Sequence, residues 1–211
     1  MKTLYIILST CYLLSIMSCK KAWLDVRPNK AIVVPSEVKD YQSLLDNAAL
    51  FNKNGSGLGE VSADNYYLLF PVWQSLGNAQ ERNAYIWAKD IYQGETGLDW
   101  RDAYTRILTE NVVLDGIEKI KPNQIEASAW NNVKGSALFY RAYDFFNLAQ
   151  EFCKPYLAST ASTDLGIPLR KSSDIFINVS RSTVQETYDQ IINDLMLARQ
   201  LLPDVAVVKT R

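Results

Sequence analysis

The chain has 211 residues, 48% hydrophobic and 21% charged, with 22 basic side chains against 23 acidic ones. This composition belongs to a globular protein of one domain or at most two small ones, able to bury roughly 70% of its unfolded surface without disulfides. No basic field exists for nucleic acid. The absence of histidine excludes an imidazole general base, a Ser-His-Asp or Cys-His pair and a His-ligated zinc or haem. The three cysteines, Cys11, Cys19 and Cys153, cannot complete a zinc tetrad.

Residues 1–18 read as a targeting segment. Lys2 supplies the positive start, and Leu4 to Met17 is uncharged and mostly apolar. That run is too short for a comfortable membrane span, which needs about 20 residues, and fits the apolar region of a secretory signal. The run ends in Ile16-Met17-Ser18-Cys19, which resembles the bacterial lipoprotein signal. That resemblance implies diacylglycerol on the Cys19 thiol and cleavage just before it, and a mature lipoprotein with three acyl chains would anchor stably. An ordinary signal, or an uncleaved anchor with an incidental cysteine, is the alternative. Cys153 would then be the one free thiol, either a buried bystander or half of an intermolecular bridge.

Residues 19–35 read as a tether, with Pro28 and Pro35 blocking helix and Ala31 to Val34 extended. The domain is expected over 36–211. Ser36 is a candidate cap for a helix whose apolar face, Val38, Tyr41, Leu45 and Ala48, runs to about Phe51. Asn52 to Gly59 is a loop. Residues 60–97 are aromatic without a clear period and are punctuated by Pro71, Gly77, Gly94 and Gly97, so loops with short helical pieces are expected. Helical spacing then becomes strong. Trp100, Tyr104, Ile107, Asn111, Leu114 and Ile117 form one stripe, with Asp99 as N-cap and Pro122 as terminator. A helix of about 28 residues, about 42 Å, follows from near Asn123 to Pro155, with Trp130, Val133, Ala137, Tyr140, Phe145, Leu148 and Phe152 on its face. In the connector, Ile175, Ile177 and Val179 suggest a short strand. The last helix has Ser182 and Gln185 as a capping box and a stripe of Val184, Tyr188, Ile191, Leu195, Ala198 and Leu202, ended by Pro203.

The fold class is therefore all-α, built of helical hairpins that resemble degenerate tetratricopeptide units, with long loops and at most minor β. Trp100 and Tyr104 are expected to face Gly135, Ala137 and Ala142. Gly135 would let helices approach closely, and Arg141 reads as packing plus a structural ion pair rather than a ligand contact.

Several segments together resemble SusD/RagB-type lipoproteins of Bacteroidetes. They are Cys19 with Trp23-Leu24-Asp25 and Pro28; Tyr41 to Asn47 (YQSLLDN); Trp100, Tyr104, Ile107 and Asn111 to Asp115 (NVVLD); Val133 to Leu148 (VKGSALFYRAYDFFNL); Leu165 to Arg170 (LGIPLR); and Arg181 to Pro203. The resemblance implies an outer-membrane lipoprotein that binds nutrient, mostly glycan and sometimes peptide, and closes over a SusC-like TonB-dependent transporter. Members of that family are usually more than twice as long, so the likeness is to their amino-terminal portion, and 36–211 is expected to be incomplete. The missing half normally supplies further helices and part of the ligand site. The apolar stripe of the last helix is then expected to be exposed. Lys20-Lys21 stand where exported relatives often carry acids, which leaves the leaflet open.

Within the chain itself, the aromatic loops are the better place for a ligand. Sugars stack on Trp and Tyr and need polar groups at the rim, and Asp64, Asn65, Tyr66, Trp73, Arg82, Tyr85 and Trp87 supply both. The alternative is that these aromatics are core. No catalytic residue is assigned: Glu60/Asp64 and Asp99/Asp102 pair only at spacings that chance supplies among 23 acids. No metal site or cofactor is expected. Two other functions fit the sequence: a helical protein–protein interaction scaffold without its own ligand, or a non-functional fragment of the binding protein. A surface glycoside hydrolase would need two carboxylates across one cleft.

Overall fold

The computed structural model describes residues 34–52 and 57–205. Cys19, the targeting segment and nearly all of the tether lie outside them. Helix α1, Val38–Leu45, begins where the Asp40 carboxylate accepts hydrogen bonds from the N–H groups of Ser36 and Glu37. Glu37, not Ser36, is the N-cap. The helix does not reach Phe51 unbroken. It stops at Asp46, and Asn47 caps a separate turn, α2, Ala48–Phe51, because its side chain accepts from the Leu50 N–H and so competes with helix continuation.

Three short helices follow: α3, Leu58–Val61; α4, Phe70–Ser75, with Pro71 in its first turn; and α5, Ala79–Tyr85, capped by Asn78. Helix α6, Leu98–Ile117, and helix α7, Ala127–Phe152, form an antiparallel hairpin. Its closed end is fastened by the Trp130 indole N–H donating to the Ile117 carbonyl at 2.9 Å. Strand β1, Leu165–Pro168, pairs antiparallel with β2, Arg181–Thr183, and helix α8, Val184–Leu201, packs back along α7. The strand is therefore not at Ile175–Val179, which stays irregular. Pairing is decided by what lies beside a segment: β1 and β2 bracket the start of α8, and the Arg181 guanidinium ties them to the end of α7 through the carbonyls of Gly166 and Phe152.

Two apolar clusters fill the bundle. One holds Tyr41, Leu45, Val113, Leu114, Ile117, Val133, Ala137, Leu138 and Ala198. The other holds Ala103, Ile107, Ala142, Phe145, Leu148, Ile167 and Ile191, with Trp100 and Tyr104 against it. Fully buried side chains such as Ile107, Ile117 and Phe145 contribute about 1.5–3 kcal/mol each. Trp100 and Tyr104 meet Ala142 and Phe152 but not Gly135 or Ala137, because the antiparallel hairpin sets the start of α6 beside the end of α7. Gly135 instead admits the end of α8: a Cβ there would stand 2.9 Å from Leu202 Cγ.

Between the clusters lies a buried polar layer. Arg106 of α6 grips Asp144 of α7 at 2.6–2.9 Å. Arg141 of α7 binds Asp194 of α8 through two nitrogens at 2.8 and 2.9 Å, and its third nitrogen donates to Asn111 Oδ1 of α6 at 2.9 Å. Glu110 is fully buried beside them, with no hydrogen-bond partner for either oxygen among the described residues. Burial, then the Asp144 carboxylate, pushes its carboxyl well above the usual range, against the pull of Arg141 and Arg106.

Helix α8 corrects one expectation. Its stripe is not left open as a whole: Val184, Ile191 and Ala198 are buried, since α7 turns its Gly135–Arg141–Phe145 side to them, while Leu195 stays outside. The capping box is Thr183 with Glu186, one residue later than Ser182 with Gln185. Ser182 is drawn instead to the Ile167 carbonyl.

Arg141→Ala strands Asp194 as an unpaired buried charge, and the expected loss is about 3–5 kcal/mol, read from urea unfolding midpoints. Arg141→Lys recovers little of it, because an ammonium cannot hold both Asp194 oxygens and Asn111 at once.

Candidate ligand-binding loops

Residues 57–97 fold over the open end of the α6–α7 hairpin. Helix α3 is moored there by two carboxyl groups. Asp99, in the first turn of α6, accepts from the N–H groups of Gly57 and Leu58 at 3.2 and 2.9 Å. It is thus a tie between segments and not the N-cap of its own helix, a position held by Gly97. Glu151, near the end of α7, lies by Gly59. Burial and the Asp99 carboxylate push the Glu151 carboxyl up to about 7, opposed by the hydrogen bond from the Gly59 backbone. Tyr92 is pushed up to about 12 by burial, with Glu151 and Asp99 adding to it.

The candidate residues separate into two groups. Trp73 and Arg82 hold the loops together: the Trp73 indole N–H donates to the Arg82 carbonyl at 3.0 Å, and the Arg82 guanidinium donates to the Leu76 carbonyl. Tyr85 is also half-buried, its hydroxyl accepting from the Leu68 N–H at 2.6 Å. The second group gathers around the end of α3. The Tyr66 hydroxyl donates to the Val61 carbonyl and the Trp87 indole N–H to the Ser62 carbonyl, at 2.7 and 2.9 Å. Asp64 and Asn65 are exposed in the stretch between Ser62 and Tyr66. Tyr66 links the groups through its ring, 5.8 Å from that of Tyr85.

Trp87 is the most unusual residue of the segment. It is 75% exposed and sits at φ +53°, a left-handed conformation that a bulky residue rarely adopts. Its one polar atom is bonded, so the ring faces solvent with no hydrogen-bond demand left. Tyr67 and Phe70, at 80% and 67% exposed, enlarge the aromatic surface and were not among the sequence candidates. Their signal was the charge-free run from Asn65 to Gln80, which is long for a loop.

A small cavity of about 80 Å³ lies under α3, lined by Gly57, Leu58, Asn78, Gln80, Leu98 and Asp99, too small for a sugar ring. Among the described residues three larger hollows lie elsewhere: about 650 Å³ between α1 and the start of α7, about 670 Å³ along β2 and α8, and about 220 Å³ in the connector between β1 and β2. Among the described residues no three thiol or carboxyl groups come together as a metal site, and no helix is long and apolar enough to cross a membrane.

Fold and loops define a class: a helical-hairpin protein of tetratricopeptide type that carries an aromatic loop surface at one end of its bundle. Residues 22–211 match the family model of SusD-like proteins, described as starch-binding and associating with the outer membrane, and the chain belongs to that family. No curated protein matches it. Among solved structures, a SusD superfamily protein from Bacteroides fragilis superposes with a TM-score of 0.66 at 20% identity, covering 84% of this chain and 42% of that one. A SusD-like carbohydrate binding protein from Bacteroides vulgatus gives 0.57 at 22%, covering 83% and 38%. A laminarin binding SusD-like protein gives 0.60 at 17%, covering 84% and 37%. The chain thus spans about two fifths of the length of the solved structures it matches. These likenesses establish the helical fold.

Glu151 gives the mooring of α3 a pH dependence. Its folded pKa of about 7 lies above the ordinary 4.5, so the folded state holds an extra proton between these values. The stability this contributes is present in full below the ordinary value and is lost as pH rises toward 7. Urea midpoints measured from pH 4.5 to pH 8 should fall through this window, and Glu151→Gln should flatten the fall.

Proposed function

We propose that the mature chain is an outer-membrane lipoprotein, anchored through Cys19, that binds oligosaccharide at the aromatic loops and passes it to a SusC-like TonB-dependent transporter. In this reading residues 1–18 are the cleaved signal, 19–35 the tether, and the domain begins at 36. The observation that carries the binding is Trp87: a mostly exposed indole with its N–H already bonded, held at a positive φ by the surrounding loops. Strain of that kind persists where the surroundings over-determine it, and an exposed ring so held is preorganised to stack on the C–H face of a sugar. Tyr66 offers a second ring, and Asp64 and Asn65 offer hydroxyl partners. Trp73, Arg82 and Tyr85 support the surface from beneath.

Membership in a family described as starch-binding supports the glycan, as do structural neighbours named for carbohydrate and laminarin binding. The outer-membrane association in the family description supports the location. The exposed Leu69 and Phe70 provide apolar surface on which a transporter partner can rest. The reading assigns capture without hydrolysis.

Isothermal titration with maltooligosaccharides and laminarin oligosaccharides tests the site. Stacking on one ring is worth about 1 kcal/mol, so Trp87→Ala should weaken binding about fivefold with unfolding unchanged. Parent-like affinity in that variant removes the loop site. For the anchor, Cys19→Ala should abolish incorporation of labelled fatty acid, and undiminished labelling rejects lipidation at that thiol.

A further inference from the structure

We propose that the Glu151 carboxyl positions the aromatic loop surface through α3, and that loss of its proton frees Trp87 and Tyr66 from their fixed places. Helix α3 has four residues and no stability of its own, so its place is set by what grips its two ends. At its start the Asp99 carboxylate of α6 accepts from the N–H groups of Gly57 and Leu58 at 3.2 and 2.9 Å, and Glu151 of α7 accepts from the Gly59 backbone. At its end the Tyr66 hydroxyl donates to the Val61 carbonyl at 2.7 Å, and the Trp87 indole N–H donates to the Ser62 carbonyl at 2.9 Å. Four residues of helix separate these ends by only about 6 Å. The Ser62 hydroxyl, donating to the Leu58 carbonyl at 2.8 Å, ties one end to the other. A shift at the start of α3 is therefore passed to both rings.

Two carboxyl groups thus converge on one short segment. The groups that face Glu151 are the Asp99 carboxylate of α6, the Tyr92 phenol of the loop before α6 and the Gly59 N–H of α3. The Tyr92 ring closes over this corner, stacked on Phe152 with centroids 6.4 Å apart and lying so close to Gly97 that a Cβ there would stand 2.5 Å from Tyr92 Cε1. Lys154, the next cation along the chain, is turned to Asp164 at 2.6 Å. A neutral Glu151 sits beside the Asp99 charge without repulsion. Burial and Asp99 push its carboxyl up to about 7. The carboxylate formed above that value is a second negative charge in a half-buried corner, and turning out to water relieves it at the expense of the Gly59 contact. Asp99 stays in place, held by two backbone N–H groups, so Glu151 is the one that moves. The sign follows: the surface is ordered below about 7, where Glu151 keeps its proton, and loosens above. A ligand that needs the ordered surface then binds more weakly as pH rises and takes up protons as it binds.

The consequence for binding rests on the oligosaccharide reading above, whereas the positioning of the rings does not. The test uses the full chain, labelled with fluorotryptophan and purified in detergent, with the Trp87 signal in its fluorine NMR spectrum assigned by its loss in Trp87→Phe. That signal should titrate with a midpoint of about 7 while the far-ultraviolet circular dichroism stays constant. Glu151→Gln should hold it at its acid position at every pH, and Asp99→Asn should move the midpoint toward the ordinary 4.5. In isothermal titration the affinity for oligosaccharide should fall about threefold from about pH 6 to about pH 8, as the ordered fraction falls. Buffers of different ionisation enthalpy should show proton uptake on binding near neutral pH, and both effects should vanish in Glu151→Gln. A Trp87 signal that does not move across this range overturns the proposal, as does one whose titration survives Glu151→Gln. Oligosaccharide binding of equal strength at both pH values overturns it too. A signal that titrates as expected, in a chain that binds neither maltooligosaccharide nor laminarin oligosaccharide at either pH, supports the positioning role and removes the glycan reading instead.

Discussion

The pairing of Arg141 with Asp194 and Asn111 is the contact on which the arrangement of the three long helices depends. One guanidinium in the middle of α7 reaches α6 and α8 together, and Arg106 with Asp144 repeats the α6–α7 link beside it. Apolar side chains at helical spacing tolerate sliding and rotation, since one aliphatic contact replaces another at modest cost. A buried guanidinium does not, because moving it by one turn leaves it and its carboxylate unpaired in the interior. The ion pairs need add little net stability to perform this role. Their effect is to make every other register of α6, α7 and α8 costly.

Charge within the layer is close to balance in a specific way. Two guanidinium groups face three carboxyls, and the third, Glu110, has no hydrogen-bond partner among the described residues and is pushed toward its neutral form by burial and by Asp144. The direction of that shift favours the protonated acid, which adds no further negative charge beside Asp144 and Asp194. The layer also extends outward: the Asn111 amide donates to the Arg170 carbonyl at 2.9 Å, so the connector after β1 is fixed by the same group that receives Arg141.

A rigid hairpin then lets short, irregular segments hold a surface that they could not hold alone. Helices of four to seven residues have no independent stability. They persist because Asp99 and Glu151 moor α3 to the long helices, and because Trp73, Arg82 and Tyr85 spend their polar atoms on neighbouring backbone. The strained Trp87 is affordable only on such a support. Buried charge in the bundle and exposed aromatic in the loops are two ends of one structural chain.

Residue spacing alone made the long helices legible: Trp100 to Ile117 and Val184 to Leu202 repeat at intervals that only a helix satisfies, and the aromatic, Gly- and Pro-punctuated stretch between 60 and 97 announced loops. The family likeness was legible in the same residues. Arg141 as an ion-pair former was readable because a cation inside an apolar stripe needs a partner. Its partner was not, since Asp194 lies 53 positions away and no local pattern marks it. The roles of Trp73 and Trp87 also waited for the fold: both are tryptophans among polar residues, and only the position of the Arg82 and Ser62 carbonyls turned one inward and left the other open. Sequence by itself determined periodicity, breakers and charge, which are local. Tertiary structure decided pairing, burial and exposure, because these depend on which distant groups arrive within about 3 Å of each other, a distance at which hydrogen bonds begin to discriminate.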